Sequence, residues 1–140
     1  MSKQTQKAIY KILSGNNALT LLVGTNIFPT FAPEDTALPF IVYRITNKQP
    51  QASKDAVHGS EDTLLVQIYH DRATETAEIG NAVRTALENT DGDYEIQNLD
   101  GSTETVKIKD ITFEDEADEP FVPDLQIFHL AQTYRVRVKY

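Results

Sequence analysis

Asp62-Thr-Leu-Leu-Val-Gln-Ile-Tyr-His-Asp71, followed without interruption by Arg72-Ala-Thr-Glu-Thr-Ala-Glu-Ile-Gly-Asn-Ala-Val-Arg-Thr-Ala-Leu87, decides how this chain folds. The first half alternates. Leu64, Val66, Ile68 and His70 fall on one side of an extended chain, and Leu65, Gln67, Tyr69 and Asp71 on the other, which is the period of a half-buried strand over residues 63–70. The second half changes period. Ile79, Val83, Ala86 and Leu87 form one apolar stripe, which predicts an amphipathic helix over residues 74–89. Thr74 reads as its N-cap, and Glu75 and Glu78 suit the positive end of the helix dipole. Gly80 borders the stripe at a cost of about 1 kcal/mol in helix propensity relative to alanine. A close approach of helix to sheet is a reason to keep it.

Upstream, Ala8, Ile9, Ile12 and Leu13 recur at helical spacing, so residues 5–13 are read as a helix that Gly15 ends. Residues 18–23 make one or two more helical turns before Gly24. Ile27-Phe28-Pro29 is a short extended piece, and Pro33 and Pro39 keep residues 30–38 out of regular structure. Residues 40–46 are β-branched and aromatic and read as a strand. Residues 47–61 are polar and aperiodic. They are expected to be a long loop, or the tip of a long β-hairpin, and such a stretch inside a small domain is usually functional or mobile.

Downstream, Asp100-Gly101 between residues 94–98 and 103–113 is a hairpin signal. The apolar parity switches from Val106 and Ile108 to Ile111 and Phe113, which places a bulge near Lys109-Asp110. The acidic, proline-flanked residues 114–123 are expected to be a loop. Residues 125–140 read as a long strand with Phe128, Leu130, Tyr134, Val136, Val138 and Tyr140 on one face. Thr133, Arg135, Arg137 and Lys139 lie on the other. The expected fold class is α+β: a mainly antiparallel sheet, an N-terminal helix and one central amphipathic helix packed on it. A single domain over residues 1–140 is expected.

Composition narrows the function. The formal net charge is −8, which disfavours a broad nucleic-acid footprint and docking on anionic lipid. No apolar run approaches the ~20 residues that span a bilayer, and residues 1–7 lack the apolar centre of a signal peptide. No membrane partner is expected. There is no cysteine, hence no disulfide framework and no thiolate chemistry.

Catalytic and cofactor signals are missing. His58, His70 and His129 show no metal-ligand spacing. His70-Asp71 is a poor dyad if both lie on a strand, because adjacent residues there face opposite sides. No glycine pattern marks a nucleotide. The run Glu114-Asp115-Glu116-Ala117-Asp118-Glu119 lacks the glycine and the ligand spacing of a calcium loop. No enzyme, metal or cofactor is expected. Two readings of the charged groups stand side by side. Either they are solvated with local ion pairs of under about 1 kcal/mol each, or the acidic run docks on the basic stripe of a neighbouring subunit. The candidate subunit or partner contacts are Lys48, Lys54, Glu114, Asp115, Glu116, Arg135, Arg137 and Lys139.

The order of landmarks carries a resemblance. Leu21-Leu22-Val23-Gly24 precedes Ile27-Phe28-Pro29. Leu38-Pro39-Phe40-Ile41-Val42-Tyr43 follows, then the polar stretch with His58-Gly59-Ser60, then Val66-Gln67-Ile68-Tyr69. The helix holds Ala82-Val83-Arg84-Thr85-Ala86-Leu87, and a long terminal strand closes the series. This order resembles the tail completion proteins of long-tailed phages, also called tail terminators or head–tail joining proteins, over nearly the whole chain. The resemblance implies a structural α+β subunit of a phage or prophage, not an enzyme. Such a subunit assembles with itself into a ring, commonly a hexamer, that caps the tail tube and meets the head connector. DNA then passes through the channel without specific binding, and the acidic charge suits such a lumen. It implies assembly in the host cytoplasm and a place in the virion tail. In this picture residues 47–61 project from the ring and order against a partner. The alternatives are another tail or neck component, such as a connector or tube-like protein, and a small monomeric binding module unrelated to virions.

Overall fold

The computed structural model describes residues 2–52, 57–88, 90–122 and 126–139. Its elements in chain order are α1 (Ser2–Ser14), α2 (Asn17–Val23), β1 (Ile27–Pro29), β2 (Phe40–Ala52), β3 (Val57–His70), α3 (Ala73–Leu87), β4 (Gly92–Gln97), β5 (Thr103–Val122) and β6 (Ile127–Lys139). The strands form one six-stranded sheet in the order β1-β2-β3-β6-β5-β4. All neighbouring pairs are antiparallel except β1 with β2. The sheet is therefore mixed, and its antiparallel part is the part the sequence pattern describes.

The strand and helix that fix the fold form as their periods require. Leu64, Val66, Ile68 and His70 of β3 are all buried, and β3 lies in the middle of the sheet between β2 and β6. Ile79, Val83 and Leu87 of α3 are buried on the same core as Ala8, Ile9 and Leu13 of α1 and Leu19 of α2. Each such side chain taken from water contributes about 1.5–3 kcal/mol. All three helices thus cover one face of the sheet. The sheet curls around them: α1 touches β1 and β2 on one side and β4 on the other. Lys7 Nζ donates to Gln97 O at 2.7 Å on the β4 side.

The ends of the helices have local causes. Leu19 N–H donates to Asn16 Oδ1 at 3.0 Å, which caps α2, and Gly24 ends it at φ +61°. That left-handed backbone is the conformation glycine tolerates best. In α3 the N-cap is Arg72, without a side-chain cap bond, rather than Thr74. Thr76 Oγ1 instead bonds back to Arg72 O at 2.7 Å. Gly80 behaves as its place beside the stripe implies. A Cβ there would lie 2.7 Å from Leu130 Cδ2 and 3.3 Å from Gln132 Nε2.

One expectation about a loop resolves to its hairpin alternative, and a second is corrected. Of residues 47–61, the described ones form a β-hairpin ladder from Asn47↔Thr63 to Ala52↔Val57, and residues 53–56 lie outside the described residues. The stretch lacks apolar alternation because its buried position is Ser60, followed just beyond it by the buried Asp62. Asp62 Oδ2 accepts from Thr5 Oγ1 at 3.0 Å in the early turns of α1, where the helix dipole favours a carboxylate. Residues 114–122 are not a loop either. They belong to β5 and pair with β6, as in Asp115↔Thr133 and Asp118↔Leu130. Backbone pairing to a well-anchored β6 overrides the low β-propensity of acidic residues. The bulge near Lys109-Asp110 is present as a register shift between Ile108 and Asp110, and a second shift lies between Phe113 and Asp115.

Candidate assembly surfaces

Two strand edges stay open. β1 covers β2 only along residues 41–43, and β4 covers β5 only along residues 103–108. Among the described residues, β2 from Arg44 onward and β5 from Lys109 onward therefore have no ladder neighbour on their outer side. Exposed strand edges are templates for pairing unless covered or blunted. Of the candidate contacts, Lys48 lies on the first edge and is partly buried. Glu114, Asp115 and Glu116 lie on the second and are exposed. Lys54 falls outside the described residues.

The acidic edge is anchored from beneath. Gln132, fully buried on β6, donates through Nε2 to Gly80 O at 2.9 Å and to Glu116 Oε1 at 2.8 Å. Its Oε1 accepts from Tyr134 Oη at 2.7 Å. One amide thus ties α3, β6 and the acidic strand together, with its hydrogen-bonding capacity nearly filled. Burial raises the Tyr134 phenol well above its ordinary range, so it remains a donor. Gln132 stands in the middle of the apolar stripe of β6, and pattern reading passes over it as a polar interruption. Its only signal is that parity places it on the core face.

The basic stripe lies on the convex face of β6, away from the helices. Arg135 and Arg137 are already engaged within the chain. Arg135 Nη1 stands 3.2 Å from Glu61 Oε1. Arg137 forms a two-point pair with Asp110, directly opposite it across the β5–β6 ladder. Hydrogen bonding to Arg137 holds the Asp110 carboxyl below its ordinary range, and the same bond raises the Arg137 guanidinium. Arg137 and Lys139 also line an open groove of about 530 Å³ at the hairpin end of the sheet, together with Gln51, Ser60, Glu61 and Lys109. Gly59 is required there, since a Cβ would lie 2.1 Å from Val138 O.

His70 departs from the strand argument. The chain turns at Asp71, so Asp71 Oδ1 reaches 2.9 Å from His70 Nδ1 after all. Asp71 N–H donates to that nitrogen at 2.9 Å, and Nε2 faces Glu75 Oε2 at 2.6 Å. Both ring nitrogens are occupied by the β3–α3 junction, which leaves neither for a substrate. Glu75 is held below the ordinary carboxylate range by its bonds to Arg72 and then His70. His129 stacks on Tyr69 with ring centroids 4.3 Å apart, and Tyr69 on Phe40 at 4.9 Å. Among the described residues no group of His, Asp and Glu is placed to hold a metal. No helix there is long and apolar enough to cross a membrane.

The fold is an α+β subunit with helices on one face of a curled mixed sheet and two unlike open strand edges. The chain belongs to the family described as tail completion protein gp17, whose model matches residues 7–139. It is thus a structural component of a phage tail, in a family of virion proteins and not of enzymes. A similar solved structure is a chain from the virion of a native gene transfer agent particle, with a TM-score of 0.77 and 18% identity over 96% of this chain and 94% of that one. At that identity the likeness speaks for the fold. No curated protein sequence matches the chain.

Proposed function

We propose that this tail protein assembles into a closed homo-oligomeric ring, of hexamer size, that caps the finished tail tube and joins it to the head connector. The observation that supports it is the pair of dissimilar open edges on one subunit, along β2 after residue 43 and along β5 after residue 108. A self-contained monomer leaves both exposed. Contacts between unlike surfaces of identical copies cover both and either close into rings or run on as filaments. Assembly takes place in the host cytoplasm before the ring enters the virion tail.

In this reading Lys48, Glu114, Asp115 and Glu116 face neighbouring copies. The groove that holds Arg137 and Lys139, at the open end of the β2–β3 hairpin, faces the tube or the connector, and Lys54 is assigned to the same contact. Arg135 belongs to the same convex face. A net charge of −8 suits a channel wall that repels DNA and lets it slide.

Adding the protein to growing tail tubes tests the reading. Caps at one tube end and an arrest of elongation are expected in negative-stain images. Uncapped tubes that keep growing would overturn it and move the weight to another neck component or to a separate binding module.

A further inference from the structure

The two open edges carry opposite charge. Residues 44–51 of β2 include Arg44 and Lys48 and no acidic residue, whereas residues 114–118 of β5 include Glu114, Asp115, Glu116 and Asp118 and no basic one. We propose that the open edge of β2 in one copy receives the acidic open edge of β5 from the next, in a staggered antiparallel ladder. This inference rests on the ring reading and specifies its subunit contact.

Strand direction agrees with it. β2 is antiparallel to β3, β3 to β6 and β6 to β5, so β2 and β5 point opposite ways across one sheet. A sideways step that keeps the orientation of the copy lays β5 antiparallel to the next β2, the more stable pairing. Charge selects this contact over its rivals. A two-fold β2–β2 contact sets Arg44 and Lys48 against themselves, and a two-fold β5–β5 contact sets carboxylates against carboxylates. Like charges directly opposite are destabilising, and unlike edges attract. Contacts between unlike surfaces are the kind that build rings.

The covered parts of the edges set the register. Lys48 pairs with Asp62, Asp62 with Val136 and Val136 with Ile111, so Lys48 and Ile111 are level across the subunit. Neighbouring copies cannot meet level. β1 flanks β2 at Ile41, which is level with Asp118 through Ile68 and Leu130, and it would occupy the space of the neighbour's β5. β1 clears that strand only past its end at Val122. The slide required is about six residues, or ~20 Å at the rise of a strand. It also takes residues 50–52 clear of β4, and it brings Lys48 opposite Asp118. A slide by an even number of residues keeps concave faces with concave faces. Pro50 has no N–H to offer the new ladder, so the contact centres on the residues before it. A repeated stagger returns to its start only if the strands incline to the ring axis, as strands do in a closed barrel.

The cysteine-free sequence makes the register directly testable by disulfide trapping on tail tubes. A chain with Lys48→Cys and Asp118→Cys should give a covalent ladder of multimers on oxidation. A chain with Asn47→Cys and Thr112→Cys, the level register, should stay uncrosslinked. Dimers from Lys48→Cys alone would indicate the two-fold contact and overturn the proposal. Lys48→Glu should raise the concentration for half-assembly by about tenfold or more, with circular dichroism unchanged. Adding Asp118→Lys should restore it. If wild-type rings form and the reversed chain assembles equally well, the edge contact is wrong and the ring stands. If wild type never assembles on tubes, both fall.

Discussion

The middle of the sheet and its two polar margins obey different rules. In the middle, β3 and β6 alternate apolar and polar residues, and Leu64, Val66, Ile68, Tyr134 and Val136 meet the helices with almost no exposure. Along the margins, residues 44, 46, 47 and 49–51 of β2 and residues 114–118 of β5 are exposed on both faces, yet they are still strands. Burial specifies the register in the middle. At the margins the ladder is held by the neighbouring strand, and the side chains are left for something other than folding. Stability therefore resides in the centre, and the proposed assembly contacts lie on the rim.

Substitutions can break this contrast in a graded way. Ile68→Ala removes a fully buried side chain from the central strand. It should lower unfolding free energy by about 3 kcal/mol, read as a lower urea midpoint. Gln132→Ala leaves Gly80 O and Tyr134 Oη without their shared partner and should cost about 2 kcal/mol. It should also loosen the acidic strand, seen as faster amide exchange in residues 114–118. At the rim, Glu114→Lys with Asp118→Lys should change monomer stability by under about 0.5 kcal/mol while it weakens self-assembly on tubes. If that pair unfolds the monomer, the separation of roles is wrong.

The smallest expected effect is a pH dependence. Asp110 is held below the ordinary carboxylate range by Arg137. A depressed carboxyl contributes stability above its unfolded pKa of about 4, and the contribution disappears as pH falls through the lower folded value. The pair is partly exposed, so solvent screening keeps the effect small. Asp110→Asn should sit slightly below wild type at neutral pH, and the two acid-unfolding curves should converge at the acid end. A gap that widens on acidification would contradict the assignment.

The alternation of residues 63–70 and the stripe of residues 74–89 were legible because burial imposes a period on them. Gly80 was legible for the same reason, since a glycine at the border of a stripe marks a close approach. The acidic strand was not, because its pairing comes from a long-range partner and its own residues disfavour strands. The polar hairpin was half legible, since the sequence allows a loop or a hairpin tip and only the ladder to β6 decides. His70 and Asp71 came together because the strand ends at His70 and the chain turns at Asp71, so the opposite-face rule for a strand does not apply to the pair. Of the candidate contacts, Arg135 and Arg137 were recognisable as a stripe, but their partners Glu61 and Asp110 lie 74 and 27 residues away in sequence. Open edges are a property of topology, which explains why no single residue announces them.

In the proposed ring, two unlike edges of each subunit meet their neighbours. The most direct measurement is the mass of the assembly by light scattering behind size exclusion, across protein concentration and with tail tubes as template. One species of fixed multiplicity above two is expected, released from or bound to tube ends. A dimer as the end state, or a monomer that ignores the tubes, would contradict it.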